Sequence, residues 1–351
     1  MTTPHSPATE TRRGTGRLLL LGAAGLGLVL VVGCWYLLKG DPDISLSELG
    51  RSLFGGHTHD NGAYLVREVR LPRLLLALIA GAALGLAGTV LQYTLKNPIA
   101  DPGILGMSQA AAFVVALSVL FPGLMPRLVL PVVCILAGLA TSAILVVLAK
   151  SIRDPVRLLL VGVVIASLGA TLTSATIVLL PIDRAVGLGQ FFGFTAGTVA
   201  SASWSRIGLI LPWLVVAVPA ALLSGRALNL LQLGDDMAIG RGMRVTRARA
   251  LLLTCACLLV APVVAVVGPI SFVALLSPHV AKVVLRTSNA HLVLPASAVV
   301  GAVVMLLADT AGRLLFFPTE IPAGIWTIVV VGPLAVVLAR RSVGRTSMEA
   351  S

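Results

Sequence analysis

Residues 74–92, LLLALIAGAALGLAGTVLQ, carry no charged side chain. Wound as an α-helix at about 1.5 Å per residue, such a run covers the roughly 30 Å of a bilayer's hydrocarbon core. This constrains the fold more than any motif does. In hydrocarbon every backbone N–H and C=O must be satisfied inside the protein, which leaves only helices and closed barrels. Comparable runs recur near 18–38, 72–92, 103–121, 128–149, 158–180, 206–225, 250–267, 269–286, 292–312 and 321–339. They do not alternate polar and apolar residues as barrel strands would. The expected fold is therefore all-α and polytopic, with about ten transmembrane helices in one membrane domain over 18–340. Residues 1–17 and 341–351 are read as tails.

Composition agrees. Of 351 residues 57% are hydrophobic and 11% charged, against about 25% charged in soluble domains. A net charge of +12 would suggest nucleic acid in a soluble protein. Here it reads as positive charge gathered in cytoplasmic loops, and no nucleic-acid partner is expected. With the amino terminus inside, 17 of the 26 Lys and Arg residues fall on inner segments, which places both termini in the cytoplasm. The first outer loop runs against that bias, with Lys39, Arg51, Arg67, Arg70 and Arg73. Cys34, Cys134, Cys255 and Cys257 all lie inside apolar runs, so they read as small hydrophobes rather than disulfide or zinc ligands. VVGC at 31–34 imitates a lipoprotein cleavage box, but the apolar run continues through Leu38 and is long enough to span.

The chemistry the chain lacks narrows its function. There is no Gly-Lys dipeptide, hence no P-loop, and neither HExxH nor GxSxG occurs. Asp309 is the one acid clearly inside a run, and with His279 it makes a poor proton relay. The chain is not expected to be an enzyme, and the energy for uphill transport should come from another subunit. Two rival readings are an ion-coupled secondary transporter and an intramembrane enzyme built on His279 and Asp309. Gly81 and Gly85, then Gly189, Gly193 and Gly197, have the small-xxx-small spacing of closely packed helices.

Four stretches carry more specific information. They are RLPRLLLALIAGAALGLAGTVLQYTLKNPIADPGILG from Arg70, LGDDMAIGRGMRVTRAR from Leu233, GPISFVALLSPHVAKVV from Gly268 and ADTAGRLLFFPTEIPAGIWTIVVVGP from Ala308. In this order they resemble the permease family of bacterial ABC importers for ferric siderophores, haem and cobalamin, over roughly residues 65–340. The resemblance implies ten helices per permease, a second permease of the same or a related chain, and two cytoplasmic ABC ATPases that carry the ATP and Mg. It also implies an extracytoplasmic substrate-binding protein and a place in the bacterial cytoplasmic membrane, among its lipids. No cofactor or metal is expected on this chain. The substrate class it implies is a ferric siderophore, with haem or cobalamin as alternatives.

By the same resemblance, Gly234, Asp235, Asp236, Met237, Ala238, Gly240, Arg241, Gly242 and Met243, within the loop 226–249, form the segment that couples to the ATPase. Where the family often has Ser-Leu-Gly, this chain has Ile239-Gly240-Arg241-Gly242, so the turn is expected to differ. The residues themselves suit a helical turn opened by acids, stopped at a glycine and restarted. A plain positive-inside anchor would explain Arg244, Arg247 and Arg249 but not the acid pair. Arg70, Arg73 and Arg313 are expected at the outer rim, where the resemblance implies pairing with carboxylates of the docked binding protein. Arg73 could instead be held internally, and Asp309 could pair with Arg313 four residues on. Asn97, Pro98, Asp101 and Pro102 read as a rigid inner corner. A lone His279 makes no metal site and reads as hydrogen-bonded to helix backbone. Gln92, Ser108, Gln109, Thr171, Thr173, Ser174 and Thr176 are candidates for lining the path.

Overall fold

The computed structural model describes residues 7–40, 42–54, 61–103, 105–123, 125–126, 129–151, 155–180, 185–316 and 318–333. Among them every regular element is helical: α1 (Pro7–Leu38), α2 (Leu46–Phe54), α3 (Asn61–Tyr64), α4 (Leu71–Thr94), α5 (Met107–Leu120), α6 (Leu130–Ser151), α7 (Pro155–Val178), α8 (Ala185–Thr195), α9 (Trp204–Leu223), α10 (Gly225–Gln232), α11 (Asp235–Gly240), α12 (Val245–Val267), α13 (Val273–Leu285), α14 (Ala290–Leu314) and α15 (Ala323–Trp326). Wider π-helical turns join α3 to α4 and continue α15 to Val331.

Nine of the ten apolar runs fall on helices. The tenth opens with α15, and its residues 334–339 lie outside the described residues, as does the tail 341–351. Among the described residues six helical segments are long and apolar enough to cross a membrane by length and composition, whereas α5, the apolar part of α6 and α13 are shorter. Local chemistry explains two of these. The run at 269–286 begins with Pro269 and winds only after Phe272, which takes a left-handed φ of 67°. The run at 103–121 becomes helical only after Gly106. Within the expected tail 1–17, the described residues 7–17 are helical, since α1 starts at Pro7.

The centre of the bundle is α4, packed against α12, α13 and α14. Its small residues make this possible. A Cβ on Gly81 would overlap the Gly301 carbonyl, one on Gly85 the Ser297 carbonyl, and one on Gly88 the Ala274 carbonyl. Backbone therefore touches backbone, the arrangement that dispersion favours in lipid. Because Gly81 meets Gly301 and Gly85 meets Ser297, α4 and α14 run antiparallel. Polar side chains lock the contact: Thr89 donates to Ser297 Oγ (2.7 Å) and Gln92 to the Leu275 carbonyl (3.1 Å). Gly189 and Gly193, by contrast, sit on the short α8, where an added Cβ would meet nothing within 4 Å among the described residues.

Burial separates inner from outer helices. The most apolar stretches of α4 and α12 are each 78% buried, those of α1 and α7 only 11% and 17%. The outer helices present side chains to lipid or to another chain. Cys134, Cys255 and Cys257 are buried as small apolar groups, but Cys34 is exposed on α1.

Candidate functional site

The antiparallel pair gives the bundle two ends. One gathers the end of α4, the start of α14, and α10 and α11; the other gathers the start of α4 and the ends of α1 and α14.

At the first end α11 is bracketed by two glycines with positive φ, Gly234 at 107° and Gly242 at 81°. Asp235 and Asp236 occupy its first turn, beside the N–H groups that carry the positive end of the helix dipole. Gly242 N–H donates to the Ile239 carbonyl (2.8 Å) and Met243 N–H to the Ala238 carbonyl (3.0 Å), the paired bonds of a Schellman stop. The chain restarts as α12 at Val245. Gly242 thus supplies the left-handed residue that ends the helix, which is how this chain builds its version of the turn. Ala238 is buried beneath α11, while Met237 and Ile239 stand 54% and 59% exposed.

An ion network ties α11 down. Asp235 Oδ1 accepts from Lys96 Nζ (2.8 Å) and from Arg249 (2.9 Å), linking the α4–α5 corner, α11 and α12. Partial burial pushes the Asp235 carboxyl up, but Lys96 and Arg249 outweigh it and hold it below the ordinary carboxylate range. Arg249 is therefore more than an anchor. Sequence reasoning missed Lys96 as a partner, because nothing local connects residues 96 and 235.

The corner at 97–102 is built from two side-chain turns. Asn97 Oδ1 accepts from Ile99 N–H (2.9 Å) and Asp101 Oδ1 from Gly103 N–H (2.8 Å), each across a proline, Pro98 and Pro102. The other Asp101 oxygen is buried without a partner among the described residues, and burial pushes this carboxyl up to about 6.

At the opposite end the three rim arginines make bonds within the chain, Arg73 in the internal alternative given for it and Arg70 and Arg313 to backbone carbonyls. Arg70 is 2% exposed and donates to the carbonyls of Leu37 (2.7 Å) and Pro42 (2.6 Å). Arg313, 9% exposed, donates to the carbonyls of Tyr36 (3.0 Å) and Lys39 (2.9 Å) and lies over the Tyr36 ring. Both cap the C-terminal carbonyls of α1, which have no helical partners of their own. Arg73 forms a two-bond pair with Asp309 and reaches Glu320 (2.8 Å). The expected Asp309–Arg313 pair is thus replaced. Asp309 turns to Arg73 and Tyr36, whose hydroxyl donates to it at 2.7 Å, and Arg313 turns to α1. A buried carboxylate needs a charged partner with good geometry, and Arg73 supplies two parallel bonds where Arg313 would have left the α1 carbonyls bare.

His279 Nδ1 lies 3.2 Å from the Leu275 carbonyl, the backbone contact expected of it. Of the path candidates, Gln92, Ser108, Thr173 and Thr176 are buried within the chain. Thr171 and Ser174 are exposed on α7, joined by Ser167, and each hydroxyl donates to the carbonyl four residues before it.

The sequence pattern of the FecCD transport family matches residues 28–341. The Fe(3+) dicitrate transport system permease protein FecC of Escherichia coli (strain K12) is 38% identical over 85% of this chain and 90% of its own length. The hemin transport system permease protein HmuU of Yersinia pestis is 37% identical over 82% and 87%. Among solved structures, a metal-chelate type ABC transporter in an inward-facing conformation superposes with a TM-score of 0.80 at 28% identity, covering 92% of this chain and 98% of that one. The ordered motifs, the helical bundle they build and these likenesses converge: the chain belongs to the FecCD transport family.

Proposed function

We propose that the chain is the membrane permease of an ATP-driven importer that takes up a ferric chelate, of the ferric citrate or siderophore class. The relatives transport Fe(3+) dicitrate and hemin by their names, and the family match supports the same trade here. In this reading the α11 end faces the cytoplasm and both termini lie on that side. Two ATPases dock there, and a second permease completes the path.

One observation carries the mechanism. Met237 and Ile239 project from a short helix held by Asp235, Lys96 and Arg249, so force on α11 reaches α4 through Lys96 and α12 through Arg249. An exposed apolar pair between charged residues suits a cleft in a partner protein. Residues 234–243 are thus the coupling segment, and the rigid corner at Asn97–Pro102 lies next to it, joined through Lys96. Rocking of this bundle as a unit against the second permease would open one end of the path while closing the other.

The binding protein docks at the opposite end in this reading. There Arg70, Arg73 and Arg313 act by fixing the α1–α2 turn and the α14 end, not by offering free charge. The exposed hydroxyls of Ser167, Thr171 and Ser174 line the path, where bonds to their own helix leave them little hold on a passing chelate.

The test is reconstitution in liposomes with the partner ATPase and binding protein, following uptake of ferric citrate. Met237→Asp with Ile239→Asp should cut ATP-driven uptake by roughly tenfold or more, the cost of losing an apolar anchor pair, while the chain still inserts. Uptake by this chain alone under an ion gradient would overturn the reading.

A further inference from the structure

Two cavities adjoin at the α11 end. One of about 520 Å³ has Arg226, Arg241, Asn289 and His291 in its wall, and one of about 790 Å³ is bounded by Lys282, Val283, Arg286, Thr287 and Ser288. Ser288 belongs to both, and among the described residues no carboxylate lines either. The coupling reading uses none of the residues around the larger cavity.

That larger cavity sits where an apolar helix ends and loop begins. Its wall is the last turn of α13 and the turn into α14. Lys282 Nζ is held 4.5 Å above the Tyr93 ring, and Tyr93 Oη donates to the Ser288 carbonyl (2.8 Å). The end of α4, the end of α13 and the turn are thereby fixed as one surface. Arg286 closes α13 in the left-handed region, φ 52°, a conformation that costs a non-glycine residue free energy. It is exposed and forms no ion pair among the described residues. Arg17 of α1 donates to the neighbouring Leu285 carbonyl (3.2 Å), bringing a further cation to the same turn. Beside these charges, Val283 is 62% and Val284 42% exposed.

Cations that merely snorkel to the water need no cavity and no fixed position. Here two are set on the rim of a hollow with an exposed apolar flank. We propose that this hollow binds the headgroup of an anionic phospholipid. The phosphodiester lies between Lys282 and Arg286, the Thr287 and Ser288 hydroxyls are within its reach, and the acyl chains run along Val283 and Val284. Inorganic phosphate would make no use of the apolar flank, so the occupant is a lipid. Polybasic clusters at helix ends are attracted to anionic lipid in this way. Because the cavities meet at Ser288 and the smaller one includes Arg241, the C-cap of α11, bound lipid would lie next to the coupling segment.

The experiment needs neither ATPase nor transport, so its outcome is separate from that of the proposed function. The full chain is purified in neutral detergent and offered phosphatidylglycerol or phosphatidylcholine. Retained lipid is read by native mass spectrometry and stability by thermal unfolding. Phosphatidylglycerol should be retained and raise the melting temperature; phosphatidylcholine should do neither. Lys282→Gln with Arg286→Gln should weaken retention by roughly tenfold, and Arg51→Gln, at the other end, should leave it unchanged. If the double variant melts early in phosphatidylcholine, Arg286→Gln alone, an exposed site, should still reduce retention, and Lys282→Arg with Arg286→Lys should preserve it. Equal retention of phosphatidylglycerol by wild type and the glutamine variants overturns the proposal. So does equal retention of both lipids, or equal stabilisation by inorganic phosphate.

Discussion

Asp309 shows how much one side chain can hold. It accepts two bonds from Arg73 and one from Tyr36 while only 2% exposed. Removing one member of a buried ion pair leaves the other charged and unsolvated, at a cost of about 3–5 kcal/mol. Asp309→Ala should therefore destabilise the protein by about that much in thermal or denaturant unfolding, whereas Tyr36→Phe loses one hydrogen bond to a charged group, about 1.5–3 kcal/mol. Equal, small effects would mean that the network is not intact in the membrane. Asp101 gives a test in pH. Its folded carboxyl is raised to about 6, above the roughly 3.9 of an unfolded chain, so the folded state binds the proton more tightly. Stability from this group then falls as pH rises from about 4 to 6 and stays low above. Asp101→Asn keeps the bond from Gly103 but cannot ionise. It should raise the melting temperature at pH 7.5 and leave it nearly unchanged at pH 4; the same shift at both would remove ionisation as the cause.

Among elements, the α4–α14 contact is the least tolerant. Gly85→Val would drive a side chain into the Ser297 carbonyl and push the helices apart, with a loss of roughly 1–3 kcal/mol or more. Gly189→Val, with nothing within 4 Å among the described residues, should be close to neutral. The pair belongs in one unfolding assay, and equal behaviour would contradict the packing. For α11 the tether is electrostatic. Its Asp235 carboxyl is depressed, so its contribution is complete above about pH 4, the unfolded value, and is lost only as pH falls through the lower folded value. Hydrogen exchange over residues 235–240 should keep its protection pattern between pH 5 and 8 once intrinsic rates are corrected. Asp235→Asn at pH 7 should speed that exchange, while leaving α14 protected.

At the scale of the whole molecule, the bundle is a rigid inner set, α4 with α12, α13 and α14, wrapped by helices whose sides remain open. The exposed side of α7, with Ser167, Thr171 and Ser174, would leave hydroxyls facing lipid in an isolated chain. Under the proposed function, a second permease would give those groups a path to line. Crosslinking through a cysteine placed at Thr171 should join two permeases in the membrane and should fail from Val215, an exposed residue on α9; the reverse pattern would place the partner elsewhere.

Much of this was legible in the chain itself. Uncharged runs long enough for hydrocarbon dictate helices, because backbone polar groups find no other partner there, and Gly234 and Gly242 mark where α11 must start and stop. The acids and glycines of 234–243 could be read because helix ends are local events. What tertiary structure alone decided is which charge meets which. Lys96 finds Asp235, Asp309 prefers Arg73 over the Arg313 on its own helix, and Arg70 and Arg313 cap α1 from other helices. Such choices depend on how helices cross in three dimensions, since a buried charge takes whichever partner desolvates it least, and no spacing along the chain encodes that.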